Sequence, residues 1–135
     1  MVVFENILVG RVVAVEARSA LVLLPTDLTA KIPVVVKKPL SLETEIIRAA
    51  SGIQAKGLLG SHSESQLAVE KIVQSEDVHE RDLVLTSGEN DWLPDLLIGQ
   101  VETVLEEGAA IYKRALVKPL VDYANLKTVF LVTDY

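Results

Sequence analysis

Three residues stand in the chain order that a nucleophilic hydrolase uses: His62, Asp82 and Ser87. That chemistry needs a serine on a tight turn, a histidine within hydrogen-bond reach and donors aimed at the developing oxyanion. The neighbouring residues argue against it. Ser87 lies in Thr86-Ser87-Gly88, without the glycine two residues earlier that marks a nucleophile elbow. Asp82 precedes it by only five residues, on what reads as one strand leading into the turn. His62 falls in Ser61-His62-Ser63-Glu64-Ser65, which reads as a solvated loop. A serine hydrolase therefore stands as the enzymatic alternative, and it requires the three side chains to converge.

Other constellations are weaker. His62 and His79 are distant and belong to no ligand-spaced cluster, and the absence of cysteine removes thiolate metal sites and disulfides. The carboxylates Glu106-Glu107, and Asp77 with Glu80, have no sugar-stacking aromatics around them. The glycines are dispersed and form no phosphate cradle, and Lys56-Gly57 lacks the flanking methionines of a lipoyl or biotinyl carrier. No cofactor, metal or catalytic residue is expected, and the constellations read as structural.

The bulk composition narrows the classes further. The chain has 135 residues, half of them apolar, and a formal net charge of -6. Its basic residues are scattered, so nucleic acid is not an expected partner. Aromatics are few, and the core must be aliphatic. The longest apolar runs, such as Ala20–Leu24, are far shorter than the roughly 20 residues of a spanning helix.

Short β-like runs recur between turn-forming clusters. Strands are predicted near Ile7–Glu16, Ala20–Leu24, Lys31–Lys37, Glu45–Ala50, Ala55–Gly60, Gln66–Val73, Asp82–Thr86, Leu97–Glu106, Ala110–Lys118 and Lys127–Thr133, with a helical turn at Asp122–Leu126. Helix is the alternative for Ser41–Ala50. The class is all-β, a barrel or sandwich.

An internal repeat organises these runs. Ile7-Leu8-Val9-Gly10-Arg11-Val12-Val13-Ala14-Val15 parallels Leu96-Leu97-Ile98-Gly99-Gln100-Val101-Glu102-Thr103-Val104. Each copy continues into a second strand ending at Pro25 or Pro119, then an aspartate, Asp27 or Asp122, then a third strand. Gly10 and Gly99 are expected at bulges, and Gly88 at a positive-φ turn. Two copies of three strands would close one barrel from residues 1–36 plus 96–135, with 37–95 inserted as a second. Trp92 beside Leu93-Pro94 reads as core or as an exposed anchor. With Tyr112 and Tyr123 near strand ends, these three form the candidate protein-contact set.

Read in series, the segments resemble the MreC family of rod-shape-determining proteins. The resemblance rests on Leu8-Val9-Gly10-Arg11-Val12, Leu23-Leu24-Pro25-Thr26-Asp27, Ile32-Pro33-Val34, Lys56–Gly60, Glu80–Gly88, Leu93–Val101 and Val117–Val129. The family glycine is absent before Asp82 and from Pro94-Asp95-Leu96. The resemblance implies two small, mainly antiparallel β-barrels of trypsin-like shape without a catalytic triad. It also implies a non-enzymatic scaffold outside the cytoplasmic membrane, organising peptidoglycan synthesis and cell shape. The implied partners are MreB, MreD, RodA with the elongation penicillin-binding transpeptidase, and other MreC copies. Membrane attachment would come only through an upstream helix and coiled coil. A small-molecule-binding barrel is a further alternative and predicts a pocket lined by several polar groups.

Overall fold

β-branched side chains restrict their own χ1 and pack well on a pleated surface, so runs such as Ile32–Val36 extend rather than coil. The computed structural model describes residues 2–4, 7–27, 30–39, 52–63, 66–90, 92–106, 111–120 and 130–131. Among them are ten strands and no helix: β1 (Val2–Phe4), β2 (Ile7–Val15), β3 (Ala20–Leu23), β4 (Ile32–Lys37), β5 (Ala55–Ser63), β6 (Gln66–Val73), β7 (Leu83–Thr86), β8 (Leu97–Leu105), β9 (Tyr112–Pro119) and β10 (Phe130–Leu131). The strand at 2–4 was not expected. The runs expected at 45–50 and 122–126, and all of 127–133 except Phe130–Leu131, lie outside the described residues. Residues 61–63, expected in a loop, continue β5, because Ser61 and Ser63 pair with Leu67 and Gln66 across the hairpin.

Six strands close on themselves. β4 pairs with β5, β5 with β6, β6 with β9, β9 with β8, β8 with β7, and β7 with β4, all antiparallel. Closure leaves this ring no free edge and allows one face of every strand to share an interior. Ile32, Val34 and Val36 of β4 meet Leu67 and Val69 of β6, Val84 of β7, Val101 of β8, and Ala115 and Val117 of β9 in one buried cluster. The interior is aliphatic, as the scarcity of aromatics required. The alternate residues Val35, Leu83, Leu85 and Leu97 form a second buried cluster, against which Ile7 and Leu120 pack. β4 and β7 are therefore covered on both faces and read as continuous apolar runs.

The remaining strands run β10-β1-β2-β3, and β2 touches the ring by one parallel bridge, Ile7 to Leu97. This set reproduces β4-β7-β8-β9 in register. Val3 pairs with Phe130 and Leu8 as Leu85 pairs with Val35 and Leu97. Val2 pairs with Leu131 and Gly10 as Val84 pairs with Val36 and Gly99. Both central strands skip one residue, Val9 or Ile98, so the expected bulges sit at the two glycines. A second pair of bulges matches as well: Val12↔Val22 then Ala14↔Leu21 parallels Val101↔Val117 then Thr103↔Leu116. The prolines do not match, since this register sets Leu24 rather than Pro25 beside Pro119.

The repeats are thus real, but their pairing differs from that of a ring made of both together. The third strand of the first copy, β4, joins the meander of the second, while β10 joins that of the first. β5 and β6 belong to the same ring as β8 and β9. Strand partners are chosen by inward-facing shape across the closed sheet, which order along the chain does not encode.

A methyl group on Gly99 would press on the carbonyl oxygen of Lys118 and lie 2.8 Å from Val117 Cγ1. Gly10 meets the matching atoms, the carbonyl of Leu23 and Val22 Cγ1 at 2.7 Å, whereas nothing lies within 4 Å at Gly52. Gly99→Ala should therefore cost about 2–3 kcal/mol through overpacking, and Gly52→Ala less than about 0.5 kcal/mol. Urea unfolding of both variants checks this, and equal midpoints would contradict it.

Candidate protein-contact surface

The hydrolase geometry can be tested by register. The Ser87 amide donates to the Pro33 carbonyl at 3.0 Å, and Pro33 pairs with Leu58 on β5. His62 lies four residues further along that strand. Two strand spacings and four residues separate it from Ser87 by about 10 Å across the sheet and about 13 Å along it, well beyond proton-transfer reach. Asp82 is buried, and its Oδ2 accepts the His79 amide at 2.9 Å, closing a turn. Those three residues do not form a triad. Among the described residues, no three His, Cys, Asp or Glu side chains converge.

The loop after β7 is built around Thr86, which is fully buried. Its hydroxyl donates to the Leu93 carbonyl and accepts the Leu96 amide at 3.0 Å. Its own amide and carbonyl bond Leu96 and Asp95, each at 2.9 Å. Gly88 takes φ +90°, and a Cβ there would lie 2.9 Å from Pro94 Cβ, so only glycine suits both the turn and the close approach. Asn90 and Asp95 hold the left-handed conformations that these two residue types tolerate. Lys37 Nζ fixes the outer end through Asp95 at 3.3 Å.

This loop delivers Trp92 into the core, where it is 6% exposed. The Arg11 guanidinium sits 5.6 Å from the ring centroid, a cation–π contact that joins β2 to the barrel. The contact candidates accordingly separate. Trp92 is core, because the large ring fills space that the small aliphatic side chains leave. Leu93 is partly buried against the same cluster, and Pro94 is exposed on the loop. Tyr112 is exposed at the start of β9, and Tyr123 lies outside the described residues.

Tyr112 has two apolar neighbours that the sequence did not single out. Val73 is its cross-strand partner and Ile111 precedes it; the three are 42%, 75% and 51% exposed in the order Val73, Ile111, Tyr112. Gln74 holds this corner together: its amide donates to the Ile111 carbonyl and its Nε2 to the Tyr112 carbonyl, both at 3.2 Å. Lys113 Nζ returns a bond to the Gln74 carbonyl at 3.2 Å. Beside the patch is a cleft of about 280 Å³ lined by Glu70, Lys71, Leu105, Tyr112, Lys113 and Arg114. Glu70 is 3.9 Å from Arg114, and Glu106 is 4.0 Å from Lys113. The result is an exposed aromatic and aliphatic patch beside a rim of mixed charge, Lys71 with the Glu70–Arg114 and Glu106–Lys113 pairs. Tyrosine and arginine beside aliphatic surface are the residue types that anchor protein interfaces. The only sequence signal was Tyr112 itself, because β6 and β9 meet through a pairing distant in the chain.

Comparison with known proteins agrees with this architecture. The family described as rod shape-determining protein MreC, barrel core, matches residues 1–133. The chain belongs to the MreC family. A solved structure named MreC superposes with TM-score 0.78 at 22% identity, covering 98% of this chain and 68% of the other. MreC from Pseudomonas aeruginosa gives TM-score 0.68 at 24% identity, over 88% and 70% of the two chains. A complex between penicillin-binding protein PBP2 and MreC from Helicobacter pylori gives 0.64 at 23%, over 87% and 64%. No match is found among curated proteins. The MreC barrel core here is all-β, a closed six-strand antiparallel barrel with extra strands.

Because one buried hydroxyl makes two bonds to the loop that carries Trp92, Thr86→Val should destabilise the protein by about 2–3 kcal/mol. The emission of Trp92, the sole tryptophan, should shift to the red as the loop loosens. An unchanged spectrum and midpoint would remove Thr86 as the organiser of this loop.

Proposed function

We propose that this chain acts without catalysis as a scaffold of the bacterial cell-elongation complex, binding the elongation penicillin-binding transpeptidase outside the cytoplasmic membrane. The family is one of rod-shape determinants, and a structurally similar MreC has been solved together with PBP2. The observation that carries the reading is the exposed patch of Val73, Ile111 and Tyr112 beside Lys71 and the Glu70–Arg114 pair. Apolar side chains gain by leaving water, and the mixed-charge rim orients a partner surface of complementary charge. Pro94 adds a second exposed contact on the loop after β7. RodA, MreB and MreD belong to the same proposed assembly, as do self-association and membrane anchoring of the longer protein.

Ile111→Asp places an anion in the centre of the apolar patch, and Tyr112→Ala removes its largest side chain. Each should weaken transpeptidase binding at least about tenfold while leaving the unfolding midpoint nearly unchanged, since both residues are exposed. Titration calorimetry against the purified transpeptidase periplasmic region measures this. Wild-type affinity in both variants would refute the patch as the contact.

A further inference from the structure

Among the described residues, the chain takes positive φ at five positions. Gly88, Asn90 and Asp95 are residue types that tolerate it. Lys71, at φ +60°, and Arg81, at φ +73°, are not. Arg81 belongs to the turn ahead of β7, whereas Lys71 lies inside β6. There the pairing with β9 steps from Val69↔Ala115 to Ile72↔Lys113, so that Glu70 and Lys71 together oppose Arg114. Such a bulge re-aims side chains. A regular strand would turn Lys71 inward beside Val69. Here Val69 and Ile72 are both fully buried, and Glu70 and Lys71 are both exposed. β5 makes room for the bulge: a Cβ on Gly57 would press on Val69 Cγ1 and lie 2.8 Å from the Glu70 carbonyl oxygen.

The ring needs the bulge, because it keeps both Val69 and Ile72 in the core. It does not need a lysine at the left-handed position, where glycine or asparagine would fit without strain. What the lysine adds is on the outside. Lys71 lines the cleft beside the patch together with Tyr112, and it is exposed like Val73, two residues further along the strand. In the same cleft Glu70 faces Arg114 at 3.9 Å, and Glu106 faces Lys113 at 4.0 Å. Each of those pairs is neutral, so the charge in excess among these residues is the ammonium of Lys71. We propose that Lys71 is the specificity-determining residue of the patch: the bulge holds its ammonium beside Tyr112, where it takes a carboxylate of the bound transpeptidase next to the apolar contact. Strain of this kind persists at binding sites where the surrounding structure over-determines the backbone, as β5 and β9 do here. The proposal rests on the scaffold reading and names the charge that the patch at Tyr112 recognises.

Lys71→Gly and Lys71→Asn each remove the ammonium while suiting the left-handed backbone. Both should unfold in urea at a midpoint no lower than that of the wild type. Both should bind the purified periplasmic region of the transpeptidase at least about fivefold more weakly, measured by titration calorimetry at low salt. Lys71→Arg keeps the cation and should keep the wild-type affinity. Raising the salt from about 0.05 M to about 0.5 M should bring the wild type and Lys71→Gly to within about twofold of each other, because exposed charges are screened. A lowered midpoint in both variants would show the lysine holding the bulge. Wild-type affinity in both, or a loss that persists at high salt, would place its charge outside the contact. Each of these results overturns the proposal. If the wild-type chain does not bind the transpeptidase, the scaffold reading falls and the proposal falls with it. If the wild type binds and the two variants bind equally well, this proposal falls alone.

Discussion

Pairing of β6 with β9 turns a sheet with two exposed edges into a ring. These strands lie far apart in the chain, so their contact carries the loop-closure cost of everything between them. What repays it is the shared interior, where Leu67, Val69, Ala115 and Val117 are each at least nine-tenths buried. With the ring closed, the backbone groups of β4 through β9 find partners and every inward side chain faces another. With it open, the molecule would show the aliphatic surface that the outer strand set still shows at Val15 and Leu21.

The loop that follows β7 depends on that ring. Thr86 sits at the end of a ring strand, and its hydroxyl, amide and carbonyl all bind the returning chain. A buried threonine hydroxyl needs partners, and here they are the residues that aim Trp92 inward. Arg11 then covers the indole from β2. The same turn therefore finishes the core and couples the outer strands to it; the Ile7–Leu97 bridge and Leu8, buried in the same cluster as Trp92, add further links.

Duplication explains much of the remaining organisation. The same Gly-centred bulge and the same Ala-Leu-Val run, at 20–22 and 115–117, occur twice, and the two copies have different fates. β6 pairs along the second run, whose Ala115 and Val117 are fully buried. In the first, Ala20 and Leu21 are exposed. Identical side chains can thus be buried or exposed, depending on which neighbours the fold brings.

Much of this was legible in the sequence. β-branched runs between turn residues located most of the strands, because local sterics set strand propensity wherever a strand later pairs. The recurrence around Gly10 and Gly99 announced a repeated meander, since only glycine tolerates the approach of the Leu23 and Lys118 carbonyls. Gly88 announced its turn for the same steric reason. The dispersed His, Asp and Ser residues argued against a triad, and the strand register sets His62 apart from Ser87. Tertiary structure alone decided which strands are neighbours. It sent β4 to the second meander, buried Trp92, and gathered Val73, Ile111 and Tyr112 at one corner. Those outcomes follow from closure, and closure is set by how inward side chains fill one volume together, a property of no short segment of the chain.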